Sequence, residues 1–205
     1  MLFRLDQLSA PLSGIAVWGD STTRGATATS VNERVTSQLA QVSGRIVSNC
    51  GIGSRPPAAI IRSFLGMPPR MHGWTHILFY GRVSNDTDAE TVISAIEKAA
   101  RHPAWGRTII TTPITGGYSD DFNPGGSMYP ERVLVRDHVL AEYPDQTIDL
   151  HQILIDANDG SAGDLEDVAN DVTPRSLRSD AIHHSDAGQL LIAQSFYDAI
   201  FARRW

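Results

Sequence analysis

Cysteine is almost missing from this chain: Cys50 is the only one in 205 residues. An internal disulfide is impossible, and a thiolate zinc cluster is excluded with it. A lone thiol fits a reducing compartment. Basic runs are missing too. Seventeen Lys and Arg stand against 23 Asp and Glu, a net charge of −6. A mildly acidic chain without a Lys/Arg run is a poor nucleic-acid binder. No apolar run approaches the ~18 residues of a membrane span. The start, Met1-Leu2-Phe3-Arg4-Leu5-Asp6, carries an early acidic residue and no apolar signal region. The expectation is therefore a protein that is cytoplasmic or of unassigned compartment, with neither nucleic acid nor membrane as partner. There is no internal repeat, no low-complexity segment and no metal-ligand spacing, so neither a metal nor another cofactor is expected.

What is present suits one α/β domain over residues 1–205. Hydrophobic residues make up 41% and charged residues 20%, enough for a core and too apolar for wholesale disorder. Short β-branched runs alternate with helical patterns. Strands are expected at Ile15–Trp18, Arg45–Asn49, Thr75–Tyr80, Thr108–Thr112 and Thr147–Leu150. Helices are expected at Val31–Ser43, Ala58–Phe64, Asp88–His102, Tyr129–Tyr143 and Asp186–Arg203. Such alternation implies a three-layer α/β/α sandwich on about five parallel strands. Thr115–Pro130 and Asp156–Ser179 lack periodicity and read as long loops, either substrate walls or plain surface. The acidic stretch Asp164–Asp171 reads as solvated surface. Trp18, Trp74, Trp105 and Tyr80 read as packing aromatics, and Cys50 as a small buried hydrophobe.

Chemistry concentrates at the ends of these runs. Gly19-Asp20-Ser21 follows the first strand, where loops of open α/β sheets bind ligands. Ser21 could be a nucleophile or merely cap the next helix. Far downstream, Asp180-Ala181-Ile182-His183 places a carboxylate within reach of one imidazole nitrogen, leaving the other free as a base. His184 is read as a bystander pointing elsewhere. Serine, base and orienting carboxylate are the parts of acyl transfer through a covalent intermediate. Such chemistry also needs donors for the developing oxyanion. Two loops could supply them: Asn49-Cys50-Gly51-Ile52-Gly53-Ser54 and Gly81-Arg82-Val83-Ser84-Asn85-Asp86. Asp20 and Arg82 are taken as substrate-facing. Arg82 could bind an anionic group or make a structural ion pair.

In these segments, from Val17-Trp18-Gly19-Asp20-Ser21 to Asp180-Ala181-Ile182-His183-His184-Ser185-Asp186-Ala187-Gly188, the chain resembles the SGNH hydrolase (GDSL-type esterase/lipase) superfamily. The resemblance implies a flavodoxin-like sandwich and metal-free ester or thioester hydrolysis. It also implies Ser21 as nucleophile, His183 as base and Asp180 as its orienter, with the Ser21 N–H in the oxyanion hole. Three departures stand out. Ser54, preceded by Gly53, holds the second motif's usual oxyanion glycine position. The third motif, usually Gly-x-Asn-Asp, runs two residues longer before Asn85. Thr22 stands where leucine is commoner.

Together these readings point to a serine esterase acting on short acyl esters, including O-acetyl groups on carbohydrate. The alternatives are a weakly active or inactive carbohydrate-binding relative, or an acyltransferase or thioesterase using the same residues. Oligomeric state is left open by the sequence.

Overall fold

A computed structural model describes residues 14–79, 88–116 and 123–205. Five parallel strands form one sheet in the order β2-β1-β3-β4-β5. They are β1 (Ile15–Gly19), β2 (Val47–Gly51), β3 (Thr75–Phe79), β4 (Thr108–Thr111) and β5 (Thr147–Ile148). The helices are α1 (Ser21–Arg24), α2 (Val35–Ser43), α3 (Pro57–Leu65), α4 (Ala89–Ala99), α5 (Tyr129–Glu142), α6 (Leu150–Asp156), α7 (Ala162–Ala169) and α8 (Asp186–Ala202). Among the described residues no helix is long and apolar enough to cross a membrane.

Strand alternation builds the layers. Successive side chains face opposite sides, so Ala16, Trp18, Leu78 and Ile110 enter one core with α3, α4 and α5. Ile15, Val17, Ile77, Phe79 and Ile109 enter the other, with α2, α6 and α8. β1 and β3 are buried on both faces: β1 reads as an apolar run, and β3 as one from Ile77 to Phe79 after the buried polar pair Thr75 and His76. The chain winds outward from β1 to β2 and then resumes at β3 on the other side of β1. The crevice between the carboxyl ends of β1 and β3 is the topological switch point, where ligands of open α/β sheets bind.

Several boundaries move for physical reasons. β2 begins two residues later than expected, because the Arg45 side chain turns to the Gly14 carbonyl and Thr75 Oγ1, at 3.2 and 3.3 Å. At its other end β2 runs two residues further than expected, taking in Cys50 and Gly51 from the loop. Val31–Ser43 divides at Arg34, whose extended backbone separates a 3-10 turn from α2. Leu150 opens α6 instead of ending β5, because Asp149 caps that helix on Gln152. Asp88 likewise caps α4 through the Thr91 N–H at 2.7 Å.

The largest correction concerns Asp156–Ser179, which contains α7 and a 3-10 turn at Arg175–Leu177. Asp164 and Asp167 are fully buried, contrary to the expected solvated surface. Charge alone misleads here because each carboxylate is satisfied. Asp164 accepts from the Asp159 and Ser176 amides at 2.9 and 3.0 Å. Asp167 accepts from the Arg175 amide at 2.7 Å and pairs with Arg175 and Arg178.

Candidate active site

Ser21 stands where β1 ends and a single helical turn begins. Asp20 caps that turn, its Oδ1 accepting the Thr22 N–H at 2.8 Å. Its carboxylate is buried, so the structure gives this residue, expected to face substrate, a backbone partner. The turn closes on Gly25, whose φ is +87°. Ser21 is the first helical residue, and a helix offers no internal acceptor for the amide there.

Two glycines let α1 lie against the strand ends. A Cβ on Gly19 would come 1.8 Å from Thr23 Oγ1 and 2.2 Å from the Phe79 carbonyl. A Cβ on Gly51 would come 2.4 Å from the Arg24 amide nitrogen. Asn49 fastens the contact. Its Nδ2 donates to the Thr23 carbonyl at 2.9 Å and to Thr36 Oγ1 at 3.0 Å, and its Oδ1 accepts the Gly51 amide at 3.0 Å. This clamp was not apparent in the sequence, where Asn49 stood as the end of a strand and the start of a loop.

The second half of the site is a tight turn between the paired residues Arg178 and His184. Asp180 organises it. Its Oδ1 accepts the Ile182 and His183 amides at 2.6 and 2.7 Å. Its Oδ2 lies 2.9 Å from His183 Nδ1. Burial works to raise the Asp180 carboxyl pKa, but the His183 ring bond and the two amides outweigh it, holding the group below the usual carboxylate range. On the far side of the ring, His183 Nε2 is 3.0 Å from Ser21 Oγ, across a sequence separation of 162 residues.

That separation is bridged by further contacts. Thr27 Oγ1 donates to the His184 carbonyl at 2.9 Å. The Thr29 amide donates to Asp186 Oδ1 at 3.0 Å, and its hydroxyl to Asp186 Oδ2. Gln189 Oε1 accepts the Val35 amide at 3.0 Å, and its Nε2 donates to the Ala26 carbonyl at 3.3 Å. The His184 ring is buried, and burial drives its pKa down to about 4, helped by the His183 and Arg178 charges. Its Nδ1 has no partner among the described residues.

Of the expected oxyanion residues, Gly53 and Ser54 follow β2 past the end of β1, where the Ile52 amide donates to the Gly19 carbonyl at 2.9 Å. Ser54 has φ +58°, a left-handed backbone at the position where the resemblance puts a glycine. Asn85 and Arg82 lie outside the described residues, as does Tyr80. Cys50 is half-buried, and burial raises its thiol pKa, with the Ser48 hydroxyl working against that rise. Among the described residues no three His, Cys, Asp or Glu side chains stand together as metal ligands. A groove of about 580 Å³ between α3 and α4, bordered by Ile61, Arg62, Asp88 and Lys98, includes none of Ser21, Asp180 and His183.

No protein-family model and no curated protein sequence matches the chain. Solved structures do. A lipase/acylhydrolase from Enterococcus faecalis superposes with a TM-score of 0.68 at 17% identity, over 93% of this chain and 96% of that one. A member of the lipolytic G-D-S-L family from Veillonella parvula gives 0.62 at 15%, over 93% and 98%. A two-domain esterase active on acetylated mannans gives 0.61 at 15%, over 98% of this chain and 53% of that one. At these identities the likeness concerns architecture: the chain has the fold of the SGNH hydrolases.

Proposed function

We propose that this protein hydrolyses carboxylic esters through a covalent acyl-enzyme on Ser21. The observation that carries the reading is the continuous chain from Ser21 Oγ to His183 Nε2 at 3.0 Å and from His183 Nδ1 to Asp180 Oδ2 at 2.9 Å. With Asp180 ionised, the imidazole keeps its proton on Nδ1 and presents a bare Nε2 to the serine. His183 takes the hydroxyl proton as Oγ attacks the ester carbonyl. The collapsing tetrahedral intermediate expels the alcohol, which receives that proton from Nε2. Water, deprotonated by the same nitrogen, then attacks the acyl-enzyme and frees the acid and Ser21.

The developing oxyanion is met by the Ser21 amide, by amides of the Gly53–Ser54 turn and by the Asn85 side chain. The substrates are short acyl esters, with O-acetyl groups on carbohydrate as the natural class. The structural likeness to an esterase active on acetylated mannans supports that class.

The test is hydrolysis of para-nitrophenyl acetate and butyrate by wild type, Ser21→Ala and Asn85→Ala. Activity abolished in Ser21→Ala, and reduced on the order of 10²–10³-fold in Asn85→Ala, is the expected result. Full activity in Ser21→Ala overturns the mechanism.

A further inference from the structure

We propose that Arg24 sets substrate specificity by receiving a carboxylate carried on the ester, an inference that rests on the esterase reading of the Ser21 site. α1 is one turn long, and Ser21 and Arg24 are its first and last residues. Residues three apart share a helix face, with Cβ atoms about 5–6 Å apart. The arginine therefore rises beside the nucleophile.

Its guanidinium lies against Gly53. A Cβ built on Gly53 would lie 3.3 Å from the Arg24 Cζ, 3.4 Å from Nη1 and 3.5 Å from Nη2. Three nearly equal distances mean that the planar group lies face-on over Gly53. A side chain there would press on it, so the glycine makes the berth. With one face covered, the N–H edges point outward, the orientation in which a guanidinium grips a carboxylate through two parallel bonds.

Among the described residues the cation is also uncommitted. Arg24 is exposed and makes no ion pair or side-chain hydrogen bond among the described residues. By contrast, Arg132, Arg136, Arg175 and Arg178 each face a carboxylate. The whole chain carries a net charge of −6, which repels anions in general. An open guanidinium next to the nucleophile reverses that sign at one point.

The carboxylate can belong to the acyl group or to the alcohol, and two matched pairs of esters separate these sources. The acyl pair is mono-para-nitrophenyl adipate and its methyl ester. The alcohol pair is para-acetoxybenzoate and its methyl ester. The readout is the ratio of kcat/KM, acid over methyl ester, in wild type, Arg24→Ala and Arg24→Lys. In Arg24→Ala one ratio falls about tenfold or more, the loss typical of a hydrogen bond to a charged group. The pair that responds names the source. Arg24→Lys, with charge but no fork, falls less, and high salt shrinks the wild-type preference. Both ratios unchanged in Arg24→Ala, with Ser21-dependent turnover intact, overturn the role of Arg24. No Ser21-dependent turnover of any of the four esters by wild type overturns the esterase reading itself, and this proposal with it.

Discussion

Asp180 makes an unusual prediction: replacing it with asparagine harms the enzyme more than replacing it with alanine. The reason is the division of labour between its two oxygens. Oδ1 holds two backbone amides at 2.6 and 2.7 Å, and Oδ2 meets the His183 ring. In Asp180→Asn the single amide oxygen stays with the two N–H groups, because turning it away forfeits both bonds, about 1 kcal/mol each, and aims an NH₂ at two donors. The NH₂ then faces His183 Nδ1, which must become an acceptor. The ring proton moves to Nε2, and the nitrogen that should receive the serine proton already carries one. Such a tautomer reversal costs about 10⁴ in turnover when made in a serine protease triad. In Asp180→Ala nothing dictates the tautomer. The Asp180 side chain is 47% exposed, so water can accept from Nδ1 in its place. The loss at the ring is that of a charge-assisted bond in a wet setting, about 1.5 kcal/mol or little more, roughly ten- to thirtyfold. The two amides that Oδ1 held turn to water, in a turn whose ends Arg178 and Thr27 still anchor. The assay is kcat on para-nitrophenyl acetate near about pH 8, well above the unperturbed histidine range. Equal activities, or asparagine the more active, would refute the tautomer argument.

Two further perturbations test the framework. His76 is buried, its Nδ1 accepting the Trp18 indole N–H at 3.2 Å while its Nε2 faces the Met71 carbonyl at 3.0 Å. Burial lowers its pKa from 6.5 to about 4, as it does for His184. The unfolded chain then binds protons that the folded chain refuses, so stability is full above the unfolded value and drains as pH falls from 6.5 towards 4. At pH 5 the loss is about 2 kcal/mol per histidine, and urea unfolding that is equally stable at pH 7 and 5 would contradict it. Asp167→Ala strips Arg178, whose side chain is 12% exposed, of a carboxylate at 2.9 Å. A drop of about 3 kcal/mol, or roughly 6–12 °C in Tm, is expected. A loss below about 1 kcal/mol would mean the pair is worth no more than a surface contact.

The central strands β1, β3 and β4 were legible because they are short, rich in apolar and β-branched residues and buried on both faces. The partners Ser21 and His183 were legible because strand-end position and the three-residue spacing of Asp180 and His183 follow from local geometry. Contacts between distant segments were not. Nothing near Thr27, Thr29 or Gln189 announces that they tie the serine segment to the histidine segment. α7 was hidden for a related reason. Its acidic residues mimic solvated surface, and only Arg175, Arg178 and Ser176, later in the chain, show why Asp164 and Asp167 can be buried.

The same logic explains how a mobile-looking part of the sequence can hold a base within hydrogen-bond reach of a serine. The turn carrying Asp180 and His183 has little apolar substance of its own, since both flank an exposed Ile182. Its rigidity is borrowed. Arg178 anchors one side, its Nε donating to the Thr173 carbonyl at 2.7 Å and its Nη2 to Asp167 at 2.9 Å. On the other side Thr27 holds the His184 carbonyl, and Asp186, the first residue of α8, accepts from Thr29. A carboxylate inside α7 and two hydroxyls after α1 therefore bear on the distance between Ser21 and His183 without touching either. Polar residues in irregular segments, not the apolar core, fix the geometry on which the proposed chemistry depends.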